Sequence, residues 1–280
     1  MASTLGSGGA ATGPGPLASK LDATTPNIAR MYDYYLGGKD NFAADRACAD
    51  KVLSHYPELR AVARENRAFL SRVVRFLAAE AGIRQFVDIG AGLPTMENVH
   101  EVAHAVAPQA RIIYVDHDPM VCAHARALLA IPDTVSVVQA DLRDPEAILK
   151  DPETQRLIDL TQPVAILLVA ILHFIADDDN PYEIVGRLRE AMAPGSYLVV
   201  SHAGSDDLPT RAREAAAEYN RATAQMWFRT RTEILRFFDG FDLVDPGLVG
   251  ADAWRNPTLP HPGITNQLAS AGFVGIGRRR

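Results

Sequence analysis

Acidic residues and glycines follow successive apolar segments at positions that could bind a ligand carrying a nucleoside. The run Phe-Val-Asp-Ile-Gly-Ala-Gly-Leu-Pro places Asp88 inside an apolar segment, and Gly90 and Gly92 directly after it. Asp116 closes the next apolar segment and Asp141 closes the one after that. Glycines let the backbone pass close to a ligand, and a carboxylate accepts hydrogen bonds from ribose hydroxyls. The spacing therefore predicts a nucleoside site where three strands end.

The glycine spacing separates two classes of cofactor. A dinucleotide-binding turn has the pattern G-x-G-x-x-G, in which the third glycine allows close helix packing. Thr95 occupies that third position here, and Pro94 precedes it, so the path of the turn departs from the usual glycine-rich one. The order Asp-x-Gly-x-Gly followed by two strand-end acids resembles the class I S-adenosylmethionine-dependent methyltransferases. An NAD-dependent oxidoreductase stays open as an alternative that the missing glycine disfavours.

The composition is that of an ordinary globular protein with a slight acidic excess. Of 280 residues, 48% are hydrophobic and 22% are charged, and the formal net charge is −6. Because binding a nucleic-acid backbone requires a basic surface, this balance argues against nucleic acid as a partner. Cys48 and Cys122 lack metal-ligand spacing, so we expect both to be reduced. We see neither an apolar run of roughly 18 residues nor a signal peptide, and therefore expect a cytoplasmic protein without a membrane partner.

Apolar and amphipathic segments alternate from residue 85 onward, which is typical of an α/β fold. Continuous apolar runs such as residues 164–170 suit parallel strands that are covered on both faces. We therefore predict a doubly wound, seven-stranded, mostly parallel sheet whose last strand is antiparallel. The predicted strands are 85–89, 111–115, 135–139, 164–170, 197–202, 242–245 and 272–277. The predicted helices between them are 96–107, 119–130, 144–150 continuing toward 160, 181–193, 209–225 and 231–239.

The chain before this alternation contains a tail and a helical segment. The tail is rich in Gly, Ala, Ser, Thr and Pro and should be disordered. In the helical segment, Gly37 and Gly38 should end the first helix, and Asp40 or Asn41 can cap the second. The predicted parts are a disordered tail at 1–20, a helical lid at 21–82, and a Rossmann-like cofactor-binding and catalytic domain at 83–280.

Five short motifs together resemble one family more specifically. They are Asn27–Phe42, Arg64–Leu70, Asp88–Thr95, Val115–Pro119 and Leu172–Ile175. They look like an actinobacterial family of S-adenosylmethionine-dependent methyltransferases that was long described as a domain of unknown function. The resemblance covers roughly residues 25–280 and implies the class I methyltransferase fold, with S-adenosylmethionine as the cofactor. It implies no particular methyl acceptor.

The resemblance also implies roles at the first two strand ends. The turn made by Gly90, Ala91 and Gly92 would contact the methionine part of the cofactor, and Asp88 would approach its ammonium group. Asp116 would accept hydrogen bonds from both ribose hydroxyls, as a carboxylate can. A structural role for Asp88, capping the helix after the turn, stays open.

The resemblance implies that residues at the second and third strand ends contact the adenine end of the cofactor. His117 or Asp118 would line the adenine side, although Asp118 precedes Pro119 and so has the pattern of a helix N-cap. Asp141 would accept from the adenine amino group, and Leu142 would pack against the ring.

The fourth strand ends where class I methyltransferases expose the reactive methyl group. Ala170 is expected to contribute its backbone there. His173 is the candidate general base or substrate contact, since a neutral imidazole can take a proton near neutral pH. A buried histidine that only packs under the sheet rim is the structural alternative. We expect no metal, because the acids Asp177–Asp179 look like a capped turn.

The helical segment supplies further candidates. We predict that Tyr32, Tyr35 and Asn41 cover the cofactor, since aromatic faces attract a sulfonium cation and a lid excludes water. Each tyrosine could instead pack on the core. Arg67 could reach the cofactor carboxylate, or could be an ordinary surface arginine.

These residues together predict a methyltransferase that acts on oxygen or nitrogen of a small-molecule acceptor. The aromatic residues between 203 and 231 suggest a partly apolar acceptor. The stretch Met226–Phe228 could equally be core or the contact of a homodimer. A non-catalytic S-adenosylmethionine-binding regulator or scaffold is the alternative, because a fold does not by itself establish catalysis.

Overall fold

The computed structural model describes residues 22–95, 97–206, 208–220, 225–257 and 272–280. The tail predicted at 1–20 lies outside these residues.

A seven-stranded sheet forms the centre of the molecule. Its strands are β1 (Gln85–Ile89), β2 (Arg111–Asp116), β3 (Val135–Gln139), β4 (Ala165–Val169), β5 (Tyr197–Ala203), β6 (Phe241–Leu243) and β7 (Gly272–Arg279). They are ordered β3-β2-β1-β4-β5-β7-β6, and β7 runs antiparallel to both of its neighbours. The predicted fold class, including the antiparallel last strand, is confirmed.

Helices precede the sheet and alternate with its strands. They are α1 (Ile28–Leu36), α2 (Ala43–His55), α3 (Leu59–Ala79), α4 (Val99–His104), α5 (Pro119–Leu128), α6 (Pro145–Lys150), α7 (Pro152–Leu157), α8 (Pro181–Ala191), α9 (Thr210–Asn220) and α10 (Arg231–Leu235). Short 3-10 turns lie at Leu172–Phe174, Asp177–Asp179 and Arg236–Phe238. Within the described ranges, every helix is too short or too polar to cross a membrane.

Two apolar clusters cover the sheet, one on each face. On β1, Phe86 packs in the cluster that contains α3, α4 and α5, whereas Val87 packs in the cluster that contains α6, α7 and α8. The two clusters alternate along the strand because successive side chains point to opposite faces. Since both faces are buried, a ligand can reach the sheet only where the strands end.

Several predicted boundaries differ from the structure, including those of β6, α4 and α10, and two further differences have a clear local cause. The N-cap of α2 is Phe42, where the sequence suggested Asp40 or Asn41, because the residue at N3 reaches back to the Phe42 N–H. The helix expected to continue from 144 toward 160 is divided into α6 and α7. Asp151 caps α7 and Pro152 begins it, and proline cannot continue the hydrogen bonding of a preceding helix.

A buried carboxylate joins the first two helices. Asp45 accepts hydrogen bonds from the N–H groups of Asn27 at 2.8 Å and Phe42 at 2.7 Å. Its Oδ2 also forms an ion pair with Nε of Arg30 at 2.7 Å, and the two side chains are 0% and 5% exposed. The starts of α1 and α2 are therefore held together by one carboxylate.

We predict that Asp45→Ala lowers the free energy of unfolding by about 3–5 kcal/mol, because it leaves the buried Arg30 charge without its ionic partner. The matched control is Asp242→Ala, which breaks an ion pair with Arg280 whose side chains are more than 60% exposed. That variant should cost about 0–1 kcal/mol. Urea unfolding of the three proteins measures both values, and equal losses would contradict the prediction.

Candidate functional site

A cavity of about 470 Å³ opens at the carboxyl ends of β1, β2, β4 and β5, and residues of α1, α3 and α9 border it on the other side. Its wall contains all of the predicted site residues except Asn41. These residues are Tyr32, Arg67, Asp88, Gly90, Ala91, Gly92, Asp116, His117, Asp141, Leu142, Ala170 and His173.

The glycine turn after β1 has a conformation that suits close approach of a ligand. Gly90 and Gly92 have φ values of 78° and 67°, in the left-handed region that favours glycine. A Cβ at Gly90 would come within 2.7 Å of the side chain of Ile171. The N–H groups of Gly90 and Ala91 both donate to the carbonyl of Val115, so the turn is fixed to β2.

Asp116 connects the end of β2 to the glycine turn. Its Oδ2 accepts from the Gly92 N–H at 2.9 Å, and its Oδ1 accepts from the Asp118 N–H at 3.0 Å. Burial raises the pKa of Asp116, and these two hydrogen bonds partly offset that rise. Each carboxylate oxygen can accept a further hydrogen bond, so the arrangement is able to hold a pair of hydroxyls.

Asp118 is the N-cap of α5, as its position before Pro119 indicated. Its Oδ1 accepts from the Met120 N–H at 2.7 Å. Its Oδ2 accepts from Nδ2 of Asn27 at 2.7 Å. Asn27 in turn caps α1, so this hydrogen bond connects the start of α1 to the edge of the site.

Asp88 lies near the end of β1, on the side of the sheet covered by α3. Its side chain is buried and lines the cavity. Burial raises the pKa of Asp88 to about 7, and the nearby Arg67 guanidinium opposes this rise. A cationic group placed beside this carboxyl would favour its ionised form.

The residues after β2 and β3 are more open. His117 is 69% exposed, with Nδ1 at 3.6 Å from Oδ1 of Asp116. Asp141 is 42% exposed and accepts from the Arg143 N–H at 2.9 Å. Leu142 is buried and lines the cavity beside it. This part of the cavity therefore offers one apolar side chain next to polar, solvent-accessible groups.

Ala170, directly after β4, has a left-handed backbone conformation that is unusual for a residue with a Cβ. Its φ is 57°, and its N–H donates to Oγ of Ser201 at 2.8 Å. A conformation of this kind persists only where the surroundings impose it, and such positions cluster at functional sites. Ser201 on β5 thus stabilises the turn that carries His173.

His173 is a buried, neutral histidine. Burial lowers its pKa well below 6.5, and the neighbouring His202 and Arg229 add to the effect. Its Nδ1 accepts from the Ala203 N–H at 3.4 Å, which leaves the proton on Nε2. In this state the ring is a weak base and a hydrogen-bond donor.

Arg229 organises the residues behind His173. Its guanidinium is 3% exposed and donates to the carbonyls of Leu172 and Ile175 and to the carboxylate of Asp177. It also donates to Nε2 of His202 at 2.9 Å. Burial lowers the pKa of His202 to about 3, although the hydrogen bond from its Nδ1 to the Ala203 carbonyl opposes this.

The predicted lid residues differ in their surroundings. The Tyr32 hydroxyl donates to the carbonyl of Ala63 at 3.1 Å and accepts from Asn66 at 3.1 Å, so α1 is hydrogen-bonded to α3. Asn41 lies outside the cavity wall, and its amide donates to Asp33 at 2.8 Å. The cofactor contact of Asn41 therefore stays a prediction. Asp33, to which Asn41 donates, does line the cavity.

The side of the cavity away from the strand-end acids is apolar. We call this part the apolar lobe; it is formed by Tyr35, Val52, Tyr56, Ala212, Ala215 and Tyr219, which pack in one cluster. The ring of Phe174 stacks on Tyr219 at 6.1 Å between centroids. The site therefore has an acidic part near the strand ends and an apolar part between the helices.

Three residues have roles at the site that the sequence did not show. Asn27 carried a signal, because an asparagine before a periodic apolar segment is a common N-cap. Ser201 and Arg229 carried none, since their partners lie 31 and 52 residues away along the chain. In the described part of the chain, His, Cys, Asp and Glu form no group of three or more that could hold a metal.

Comparison with known proteins shows what the chain is similar to. A family model described as S-adenosyl methyltransferase matches residues 14–280. The crystal structure of a candidate methyltransferase from Thermobifida fusca is 46% identical, with a TM-score of 0.88 over 95% of this chain and 98% of that chain. A DUF574 family protein from Streptomyces avermitilis is 40% identical, with a TM-score of 0.88 over 92% of this chain and 99% of that one.

More distant similarity is limited to the fold. The mitomycin 7-O-methyltransferase is 17% identical, with a TM-score of 0.51 over 95% of this chain and 76% of that chain. None of the curated proteins compared matches the chain.

The buried carboxyl of Asp88 should make the stability of the ligand-free protein depend on pH. The folded protein keeps this proton up to about pH 7, whereas the unfolded chain loses it near 3.8. The difference in pKa stabilises the folded protein fully below pH 3.8. This stabilisation decreases as pH rises from 3.8 through 7, by up to about 1.4 kcal/mol per pH unit.

Urea unfolding of wild type and Asp88→Asn across this range tests the effect. The difference in unfolding free energy, wild type minus variant, should fall as pH rises, because the variant has no proton to lose. A difference that stays constant with pH would show that Asp88 is ionised throughout.

His173 and His202 should both stay neutral over roughly pH 5 to 8. Their Cε1–H resonances, assigned with His173→Gln and His202→Gln, should not move during an NMR titration in which free imidazole serves as the reference. A midpoint near the ordinary value of 6.5 for either ring would contradict the buried, uncharged pair.

Proposed function

The chain belongs to the S-adenosyl methyltransferase family, and from that premise we propose that it transfers a methyl group from S-adenosylmethionine to oxygen or nitrogen of a small, uncharged acceptor. The family resemblance read from the motifs is confirmed, as are the enzyme class and the cofactor. We further propose the class of methyl acceptor, the kind of atom that is methylated and the roles of individual residues.

One observation carries the proposal: the glycine turn, the buried strand-end acids and the apolar lobe line one continuous cavity. Its volume of about 470 Å³ lies in the range of small-molecule sites. A site of this kind accommodates a small acceptor more readily than a folded macromolecule. The formal net charge of −6 further disfavours a nucleic-acid acceptor.

The residues present fit the cofactor. The left-handed backbone conformation at Gly90 and Gly92 suits close approach of the methionine part, and the buried carboxyl of Asp88 suits its ammonium group. Asp116 retains acceptor capacity on both oxygens for the ribose hydroxyls. Arg67, which acts electrostatically on Asp88, is placed to balance the cofactor carboxylate.

At the adenine end, the half-exposed Asp141 and the buried Leu142 suit the amino group and the ring respectively. His117 lines the same part of the cavity. When bound, S-adenosylmethionine supplies an electrophilic methyl group on a cationic sulfur.

The protein then contributes orientation and the exclusion of water. Ala170 contributes its constrained backbone at the end of β4, and Tyr32 closes the cavity from α1. We propose that His173 binds the acceptor by donating from Nε2. A neutral ring with a depressed pKa is poorly suited to remove a proton, so the contact role has better support than the general-base role.

Calorimetric titration with S-adenosylmethionine, S-adenosylhomocysteine and NAD tests the cofactor part. We expect saturable binding of the first two and none of NAD. Asp116→Asn should weaken S-adenosylmethionine binding by roughly ten- to a hundredfold, because it removes a charged acceptor of two hydrogen bonds.

The matched control for that variant is Asp144→Asn, at the N-cap of α6 and outside the cavity wall. Asparagine caps helices about as well as aspartate, so this change keeps α6 and should leave affinity within about threefold. Equal losses in the two variants, or tight binding of NAD, would count against the proposed cofactor site.

Catalysis is tested by incubating the protein with S-adenosylmethionine labelled in its methyl group and a pool of neutral phenols and amines. Label should appear in small-molecule product with wild type, and not with Asp116→Asn. Binding of the cofactor without any transfer across broad pools would favour the regulator or scaffold instead.

A further inference from the structure

The apolar lobe contains a buried hydroxyl with no partner. Tyr35 on α1 lines the cavity and is 1% exposed. Among the described residues, no group forms a hydrogen bond with its hydroxyl. Burying a hydroxyl without a partner is costly, and such atoms are rare in native proteins.

Neighbouring tyrosines do not share this property. The Tyr32 hydroxyl bonds to both Ala63 and Asn66, and the Tyr34 hydroxyl donates to Asp50 at 2.9 Å on the surface. The missing partner is therefore a feature of Tyr35 in particular, and not of the helix that carries all three.

The charge distribution limits what could pair with Tyr35. The charged residues that line the cavity are Asp33, Glu65, Asp88, Asp116, Asp118, Asp141 and Asp252 with Arg67 and Arg143. None of them belongs to the apolar lobe, whose walls are aliphatic and aromatic. An anionic acceptor would meet a mostly acidic cavity without a cation in the lobe, and a charged group of either sign would be desolvated there.

The lining of the lobe favours an aromatic ligand. Rings of Tyr56 and Tyr219 line it, Phe174 stacks on Tyr219, and the small side chains of Ala212 and Ala215 leave room on α9. Aromatic walls gain most from contact with another aromatic ring.

Resting on the proposed function, we infer that the acceptor is a neutral aromatic molecule that inserts into the apolar lobe and hydrogen-bonds to the Tyr35 hydroxyl. Tyr35 is then a specificity-determining residue, because an acceptor lacking the polar group would leave the hydroxyl unpaired. Burial also raises the pKa of Tyr35, so the group stays protonated and can donate as well as accept.

The test compares 2-naphthol with naphthalene, which has the same rings without the hydroxyl. Wild type, Tyr35→Phe and Tyr34→Phe are each saturated with S-adenosylhomocysteine and titrated with both compounds, and binding is followed by fluorescence. Tyr34→Phe is the matched control, because it makes the same change on the same helix at a hydroxyl outside the cavity wall.

We expect Tyr35→Phe to weaken 2-naphthol binding by about three- to tenfold, the contribution of one neutral hydrogen bond, and to leave naphthalene binding unchanged. Tyr34→Phe should change neither. Without ligand, Tyr35→Phe should melt at or above the temperature of wild type, since it removes an unpaired buried hydroxyl.

Absence of saturable 2-naphthol binding, equal 2-naphthol affinity in wild type and Tyr35→Phe, or a parallel loss for both compounds would overturn the inference. A lower melting temperature for Tyr35→Phe would also overturn it, because the hydroxyl would then have a structural partner. Failure to saturate wild type with S-adenosylhomocysteine would instead refute the proposed function, so the two failures are distinguishable.

Discussion

The hydrogen bonds of Asp116 are the interaction on which the geometry of the site depends. One oxygen of this carboxylate holds the N–H of Gly92 and the other holds that of Asp118, so a single side chain positions the glycine turn and the start of α5. Asp118 then caps α5 and accepts from Asn27, the N-cap of α1. Two adjacent carboxylates thereby set the relative positions of the sheet edge and the helical segment that closes the cavity.

Burial gives the two ends of the cavity different electrical character. Near the strand ends, Asp88 and Asp116 lie in a poorly solvated environment that raises the pKa of each and favours a cationic ligand. Near β4 the environment disfavours a positive charge on the ligand side. Burial and the neighbouring Arg229 guanidinium lower the pKa of His173 and of His202, and both rings stay uncharged. The cationic cofactor and the uncharged acceptor that we propose would each meet an environment that suits its charge.

The helical segment forms part of the cavity wall and carries Tyr35, the residue proposed to select the acceptor. The carboxylate of Asp45 orders the starts of α1 and α2, and the Tyr32 hydroxyl joins α1 to α3. The Tyr35 hydroxyl on the same helix as Tyr32 is buried and forms no hydrogen bond among the described residues. The proposed selectivity of the apolar lobe would therefore depend on the order of these helices.

The sequence by itself determined the strands, the sheet class and the strand ends at which the cavity opens, because buried parallel strands are continuous apolar runs and their ends meet at one edge. It also identified Asp118 as a cap from Pro119 alone. Only the tertiary structure decided which polar groups pair: Asn41, itself outside the cavity wall, donates its amide to Asp33, and Arg229 reaches Asp177 from 52 residues away. The periodicity of apolar residues indicates which side chains are buried. Hydrogen-bond partners depend on contacts between segments that are distant along the chain, and no local sequence pattern encodes those contacts.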